Sequence, residues 1–241
     1  MRAGYSVSRL HLIGQGQTLF QMAETMISRR ILLGAVLTAP LAACQTGSRL
    51  DAASSDAMAD ASWYIGSLDD EPFDIPLVDR RRMKPEFERQ VVEYAGSERP
   101  GTIVVDIDDR FLYLVQPEGQ AIRYGIGVGR QGFSWRGVAY VGRKGVWPAW
   151  SPTRTMVSLK PELPRYRDSG LDNPLGARAL YLYQNGGDTL FRIHGTNEPW
   201  SIGEQVSSGC VRMLNEDVLD LYNRVPVGTT VLVRRNGRWR V

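Results

Sequence analysis

The sequence predicts a mostly β domain, a mixed β-sandwich with one main helix and a long loop at its edge. Three observations carry that prediction. Short runs of apolar and β-branched residues bounded by turn residues recur from residue 102 to residue 193, whereas a stripe of helical period occurs once. The 241 residues, 43% hydrophobic and 23% charged, are enough for one core, and no internal repeat divides them. Strands are expected over 102–107 and 111–115, joined by the Asp108-Asp109 turn, and then over 121–128, 179–183 and 189–193. The helix follows Asn215, a good cap residue, and turns Val218, Leu221, Tyr222 and Val225 to one side before Pro226 and Gly228 stop it. A terminal hairpin is expected over 230–241 around Asn236-Gly237, the dipeptide that suits a tight turn with positive φ.

The first hundred residues read differently. Met26-Ile27-Ser28-Arg29-Arg30 supplies a basic start, 31–40 an apolar stretch, and Leu41-Ala42-Ala43-Cys44 a small-residue cleavage site ending in cysteine. The apolar stretch falls short of the ~20 residues that span a bilayer as a helix, so 1–43 reads as a signal peptide. Its ending resembles a bacterial lipobox, which implies lipidation of Cys44 and a membrane anchor; Ser28 to Leu33 resembles, more weakly, a twin-arginine export signal. Residues 1–25 fit no part of such a signal, and Met26 is the expected initiator. Residues 45–61, rich in Ala, Ser and Asp, read as a flexible tether. The stretch 63–100 mixes aromatic, proline and charged residues; it is expected to wrap the domain, with a short helix over 85–94.

The net charge of +3 disappears when 1–43 is set aside, because basic and acidic residues then balance. A neutral remainder has no electrostatic footprint for nucleic acid. With Cys44 acylated and Cys210 the only other cysteine, no disulfide is expected within the chain. Gly127-Val128-Gly129-Arg130-Gln131-Gly132 matches a dinucleotide fingerprint, but Phe133 to Gly137 offers no helix to receive a pyrophosphate, so a turn is the better reading. The chain lacks Ser-x-x-Lys, Gly-x-Ser-x-Gly, Cys-x-x-Cys and His-Glu-x-x-His patterns, and neither a metal nor a cofactor is implied.

The residues that carry chemistry are His194 and Cys210. A thiol attacks as thiolate, and its ordinary pKa of about 8.5 calls for a base or a positive field nearby. His194 closes an apolar strand and Cys210 follows after a loop, so the chain can fold the imidazole back to the sulfur. Gly209 permits a tight turn before the nucleophile, and the amides around Cys210, with Ser207 and Ser208 in the same loop, form the expected oxyanion hole. Arg212 is expected either to hold a substrate carboxylate through its fork or to fix the loop by an ion pair. Trp147, Trp150 and Trp200 read first as packing residues, with the wall of a substrate cleft as the second reading.

Arg192-Ile193-His194-Gly195-Thr196-Asn197-Glu198-Pro199 and Ser207-Ser208-Gly209-Cys210-Val211-Arg212-Met213 resemble the signature of the YkuD-type L,D-transpeptidases, the cysteine enzymes of bacterial peptidoglycan. The likeness covers most of residues 100–235, through Gly127-Val128-Gly129-Arg130, Trp147 to Thr153 and Asn173 to Leu180. Many members carry histidine where this chain has Ser208. The resemblance implies that 100–241 is a catalytic domain with an active-site loop, and that 44–99 is tether and wrapping segment. It assigns Cys210 as nucleophile, His194 as base, the Gly195 carbonyl as the group that orients the imidazole, and Thr196 and Trp150 beside Arg212 as substrate contacts. The expected reaction is attack on the carbonyl of the third stem-peptide residue, release of D-alanine, and transfer of the acyl group to an amine from another stem peptide or from an outer-membrane protein. Water as acceptor would give a carboxypeptidase, and a site without turnover would give a wall-binding lipoprotein. The expected location is the periplasm, on a lipid anchor at Cys44.

Overall fold

Alternating apolar residues explain most of the architecture. The computed structural model describes residues 61–129, 136–205 and 210–235. A two-stranded antiparallel ribbon, β1 (Tyr64–Leu68) and β2 (Ile75–Val78), precedes a ten-stranded sheet. Its strands are β3 (Gln90–Glu93), β4 (Ile103–Asp106), β5 (Phe111–Gln116), β6 (Gln120–Gly125), β7 (Gly127–Val128), β8 (Gly137–Val146), β9 (Arg178–Gln184), β10 (Gly187–His194), β11 (Val211–Arg212) and β12 (Thr230–Arg234). They lie in the order β3-β6-β5-β4-β12-β8-β9-β10-β11-β7. The pairs β4–β12 and β10–β11 are parallel and the other neighbours antiparallel, so the sheet is mixed.

The sheet curls around one core. Ile126 alone separates β6, second in the order, from β7, which is last, so the chain itself brings the two ends of the sheet together. Two glycines make that passage: a side chain on Gly125 would meet the Phe87 carbonyl at 2.3 Å, and one on Gly127 the Ser201 carbonyl at 2.5 Å. Ile103, Leu112, Tyr124, Ile126, Leu180, Leu182, Ile193, Val211 and Val231 face one another across the enclosed space. The helix α2 (Asn215–Arg224) closes it with Val218 and Leu221, both fully buried; each such side chain contributes about 1.5–3 kcal/mol. Val225 and Tyr222 extend the same stripe, as its spacing predicted.

Several expectations are corrected. The helix expected over 85–94 is a single 3₁₀ turn, Pro85–Phe87, followed by edge strand β3, because alternation in 90–93 is satisfied by pairing with β6. The segment before residue 100 therefore adds a strand to the main sheet. The strand expected over 121–128 breaks at Ile126. The ten-residue strand β8 was not foreseen, since Gly142, Arg143, Lys144 and Gly145 interrupt its apolar pattern; a bulge after Val141 absorbs them. A short helix, α1 (Arg154–Leu159), starts where the Thr153 side chain accepts from Met156 N. Asn215 is not the cap of α2: Leu214 holds that position, and Asn215 begins the helix and works elsewhere. The signal segment, Cys44, the tether up to residue 60, residues 130–132 of the fingerprint with 133–135 after them, and the second strand of the terminal hairpin lie outside the described residues.

Candidate active site

Strand β10 ends on His194, and its alternation decides what faces what. Ile193 pairs with Leu180 on β9 and with Val211 on β11, and all three point into the core. The next residue along each strand turns the other way, which puts His194 and Arg212, paired in parallel register, on the opposite face. Stepping back two residues along β10 adds Arg192 to that face, and Cys210 directly precedes β11. The structure thus places His194 at the end of β10 and Cys210 at the entrance to its parallel neighbour β11.

The imidazole is fixed. Nδ1 of His194 lies 2.6 Å from the Gly195 carbonyl oxygen, and since a carbonyl only accepts, Nδ1 carries the proton and Nε2 is left as the basic nitrogen. His194 is 4% exposed. Burial, with the Arg212 and then the Arg192 charge, drives its pKa down to about 3 against the opposing Gly195 bond, so the ring is neutral at ordinary pH. Its own carbonyl accepts from Met213 N at 2.8 Å.

Cys210 stands one residue before β11 begins and is half-buried. Its thiol points to the Leu190 carbonyl, 4.0 Å away. Burial pushes the thiol pKa up, while the Arg192 charge, hydrogen bonds from the Arg192 main chain and side chain, and the Arg212 charge push it down without overcoming burial. Arg212 forms an ion pair with Glu198, the second of the two roles expected for it. Both neutral groups of the pair therefore sit under two guanidinium charges.

Behind His194 the polypeptide is braced by one side chain. Asn215 Oδ1 accepts from Ala177 N at 3.0 Å and Thr196 N at 3.2 Å, and Nδ2 donates to the Thr196 carbonyl at 3.0 Å. Gly195 must be glycine for this, because a Cβ there would come within 2.1 Å of Asn215 Oδ1; a Cβ on Gly176, at φ +61°, would do the same. Gly195 N donates to the Arg178 carbonyl at 3.0 Å. The Arg178 guanidinium is buried against Asp70, 2.7 Å away, and burial, which would raise the Asp70 pKa, is outweighed by Arg178 and by Trp147 Nε1. A residue of the segment before β2 thus reaches the backbone that carries the base.

Thr196 is 2% exposed, and its hydroxyl accepts from Glu198 N at 3.0 Å; it shapes the turn after His194 instead of presenting itself to a substrate. Trp150 is half-buried and exchanges both main-chain hydrogen bonds with Arg167. Trp147 is buried edge-on against Phe73 and belongs to packing, whereas Trp200 is 40% exposed beside Trp63. Ser207, Ser208 and Gly209 lie outside the described residues. Sequence reading missed Arg192, Asn215 in its bracing role, and the Asp70–Arg178 pair. Arg192 was within reach, since two residues before His194 on a strand means the same face. Among the described residues no group of three or more His, Cys, Asp or Glu is placed to hold a metal ion.

This geometry has relatives. The chain is 36% identical over 140 residues to the probable L,D-transpeptidase ErfK/SrfK of Escherichia coli (strain K12), covering 54% of this chain and 43% of the relative. It is 37% identical over 139 residues to the probable L,D-transpeptidase YbiS of the same organism, with the same coverages. The chain thus spans less than half the length of these curated relatives. Among solved structures, a Brucella melitensis protein described as a probable carnitine operon oxidoreductase is 44% identical, covering 68% of this chain and 98% of that one at a TM-score of 0.44. The family profile described as the L,D-transpeptidase catalytic domain, YkuD, matches residues 100–233, which hold His194, Cys210 and every strand of the curled sheet except β3 and the last residue of β12, and the chain belongs to that family.

Proposed function

We propose that the protein is a peptidoglycan L,D-transpeptidase with Cys210 as nucleophile and His194 as its base. The observation that carries the reading is the Nδ1–Gly195 bond, which leaves Nε2 as the basic nitrogen of a histidine whose strand pairs with the one that Cys210 leads into. Both partners rest neutral, so the proton moves as the sulfur attacks instead of beforehand. The Sγ–H proton passes to His194 Nε2 while sulfur bonds to the carbonyl carbon of the third stem-peptide residue. Collapse of the tetrahedral adduct then expels D-alanine, whose amine takes the proton from His194, and a thioester remains. An incoming amine loses its proton to the same nitrogen and forms the new amide as the thiol returns. Main-chain amides at the start of β11 are the groups suited to the oxyanion.

Family membership supports the acyl-transfer chemistry, and the motif order supports the two roles. The acceptor is the amine of a second stem peptide, an outer-membrane protein amine, a free D-amino acid or water. The lipobox-like ending at Cys44 supports export and a lipid anchor. The test is intact mass after incubation with a carbapenem, an acyl donor that the family resemblance implies. The parent chain gains one adduct and Cys210→Ala gains none; an adduct retained by the alanine variant overturns the assignment. Muropeptides from cells with and without the protein then identify the acceptor.

A further inference from the structure

Strand β10 carries a defect that faces the nucleophile. Its register against β9 slips between Asp188 and Arg192, and Leu190, inside the slip, has φ +62°. A leucine in the left-handed region is strained, and this one is also 58% exposed, so nothing in the core accounts for it. The distortion is held by side chains. Asp188 Oδ1 accepts from Leu190 N at 2.7 Å, Thr189 Oγ1 accepts from Phe191 N at 3.1 Å and donates to the Leu182 carbonyl at 2.7 Å, and Arg192 Nη1 donates to the Leu190 carbonyl at 2.6 Å. That carbonyl is the one to which the Cys210 thiol points.

Arg192 is itself held in place. It pairs with Tyr181 across β9 and β10, and its guanidinium carbon lies 4.9 Å from the centre of that ring, on the face shared with His194. Nη2 lies 3.6 Å from Asp188 Oδ2. The charged groups around the sulfur are therefore Arg192 with its counter-ion Asp188 from β10, Arg212 with Glu198 from β11 and the preceding loop, and the neutral His194; Arg143 of β8 covers Tyr181 at 3.5 Å from its other neighbour strand.

We infer that Arg192 is a positioning residue of the Cys210 site: the bulge from Asp188 to Arg192 aims one carbonyl and one guanidinium at the sulfur, the first seating the resting thiol and the second answering the negative charge that develops as its proton leaves for His194. The inference rests on the reading of Cys210 as nucleophile. A bulge that merely turned the strand would need neither the guanidinium nor its charge; here removing the charge and removing its counter-ion act on the sulfur in opposite directions.

The test is the pH dependence of iodoacetamide alkylation in the full chain carrying Cys44→Ser, so that Cys210 is the single thiol. Arg192→Gln is expected to slow alkylation at pH 7 by about tenfold and displace the profile upward by roughly one unit, while Asp188→Asn, which keeps the cap on Leu190, speeds it about two- to fivefold. Arg192→Lys restores most of the rate at pH 7 because it keeps the charge. Profiles that coincide, or that move the same way in Arg192→Gln and Asp188→Asn, overturn the inference. If Arg192→Gln fails to fold, Asp188→Asn decides alone: no acceleration overturns it. Alkylation reads the thiol whatever the enzyme transfers, so a parent chain without transpeptidase activity would sink the proposed function and leave this measurement standing.

Discussion

His194 ends one strand and Cys210 leads into its parallel neighbour, yet the molecule holds them by opposite means. His194 is braced from behind: its ring is tied to Gly195, its carbonyl to Met213, and the turn that follows it to Asn215, with the buried Asp70–Arg178 pair under the same backbone. Cys210 stands just outside its strand, and its sulfur faces the Leu190 carbonyl and Arg192 of a strained bulge on the next strand. One half of the pair is set by the fold and the other by local contacts. Variants that separate the two halves test this contrast.

Removing the base should have the largest effect. His194→Ala is expected to slow acylation by about two to four orders of magnitude with the melting transition retained, as measured by stopped-flow with a carbapenem. A rate equal to the parent's at pH 7 would place activation of the sulfur in the arginines alone. Asp70→Asn comes next, because it leaves the buried Arg178 charge unanswered; a loss of about 3 kcal/mol in denaturant unfolding is expected, with the Cys210 alkylation profile unmoved. A shifted profile would show that the two halves are coupled.

The third effect concerns pH. The folded pKa of His194 lies near 3, below the unfolded value of 6.5, so the unfolded chain binds a proton that the native chain refuses across that window. The contribution is intact above pH 6.5 and is lost progressively as the pH falls toward 3, by about 2 kcal/mol at pH 5. His194→Gln should flatten the fall of stability between pH 7 and 5; an unchanged slope would assign it to other groups. The smallest change is expected from Glu198→Gln. Glu198 is partly exposed, so its loss should move stability by less than about 1 kcal/mol, and a larger change would make Arg212 part of the rigid half.

The same contrast marks what sequence could reveal. The strands β4, β5, β9 and β12 were legible as short apolar runs bounded by turn residues, and α2 by its helical stripe, because burial imposes both patterns. His194 and Cys210 stood out as candidates because few other side chains can do acyl transfer. Strand β8 was hidden by its glycines and bulge, and β3 by being too short to distinguish from a helical turn. Asn215 was misread because a cap residue at a helix start is the local answer, while its three actual partners lie far away in sequence, on Ala177 and Thr196. The bulge at Leu190 left no local sign at all, since leucine is among the last residues one would place at positive φ.

The meeting of the sheet's two ends through Ile126 bears on when the site comes into being. The two residues of β11 gain their partners from β10 on one side and from β7, far upstream, on the other. Contacts so distant along the chain close late, after the intervening loops have paid their entropy. Strand β11 is therefore expected to join β10, across a short loop, before it joins β7, so the segment that carries Cys210 meets His194 ahead of the closing seam.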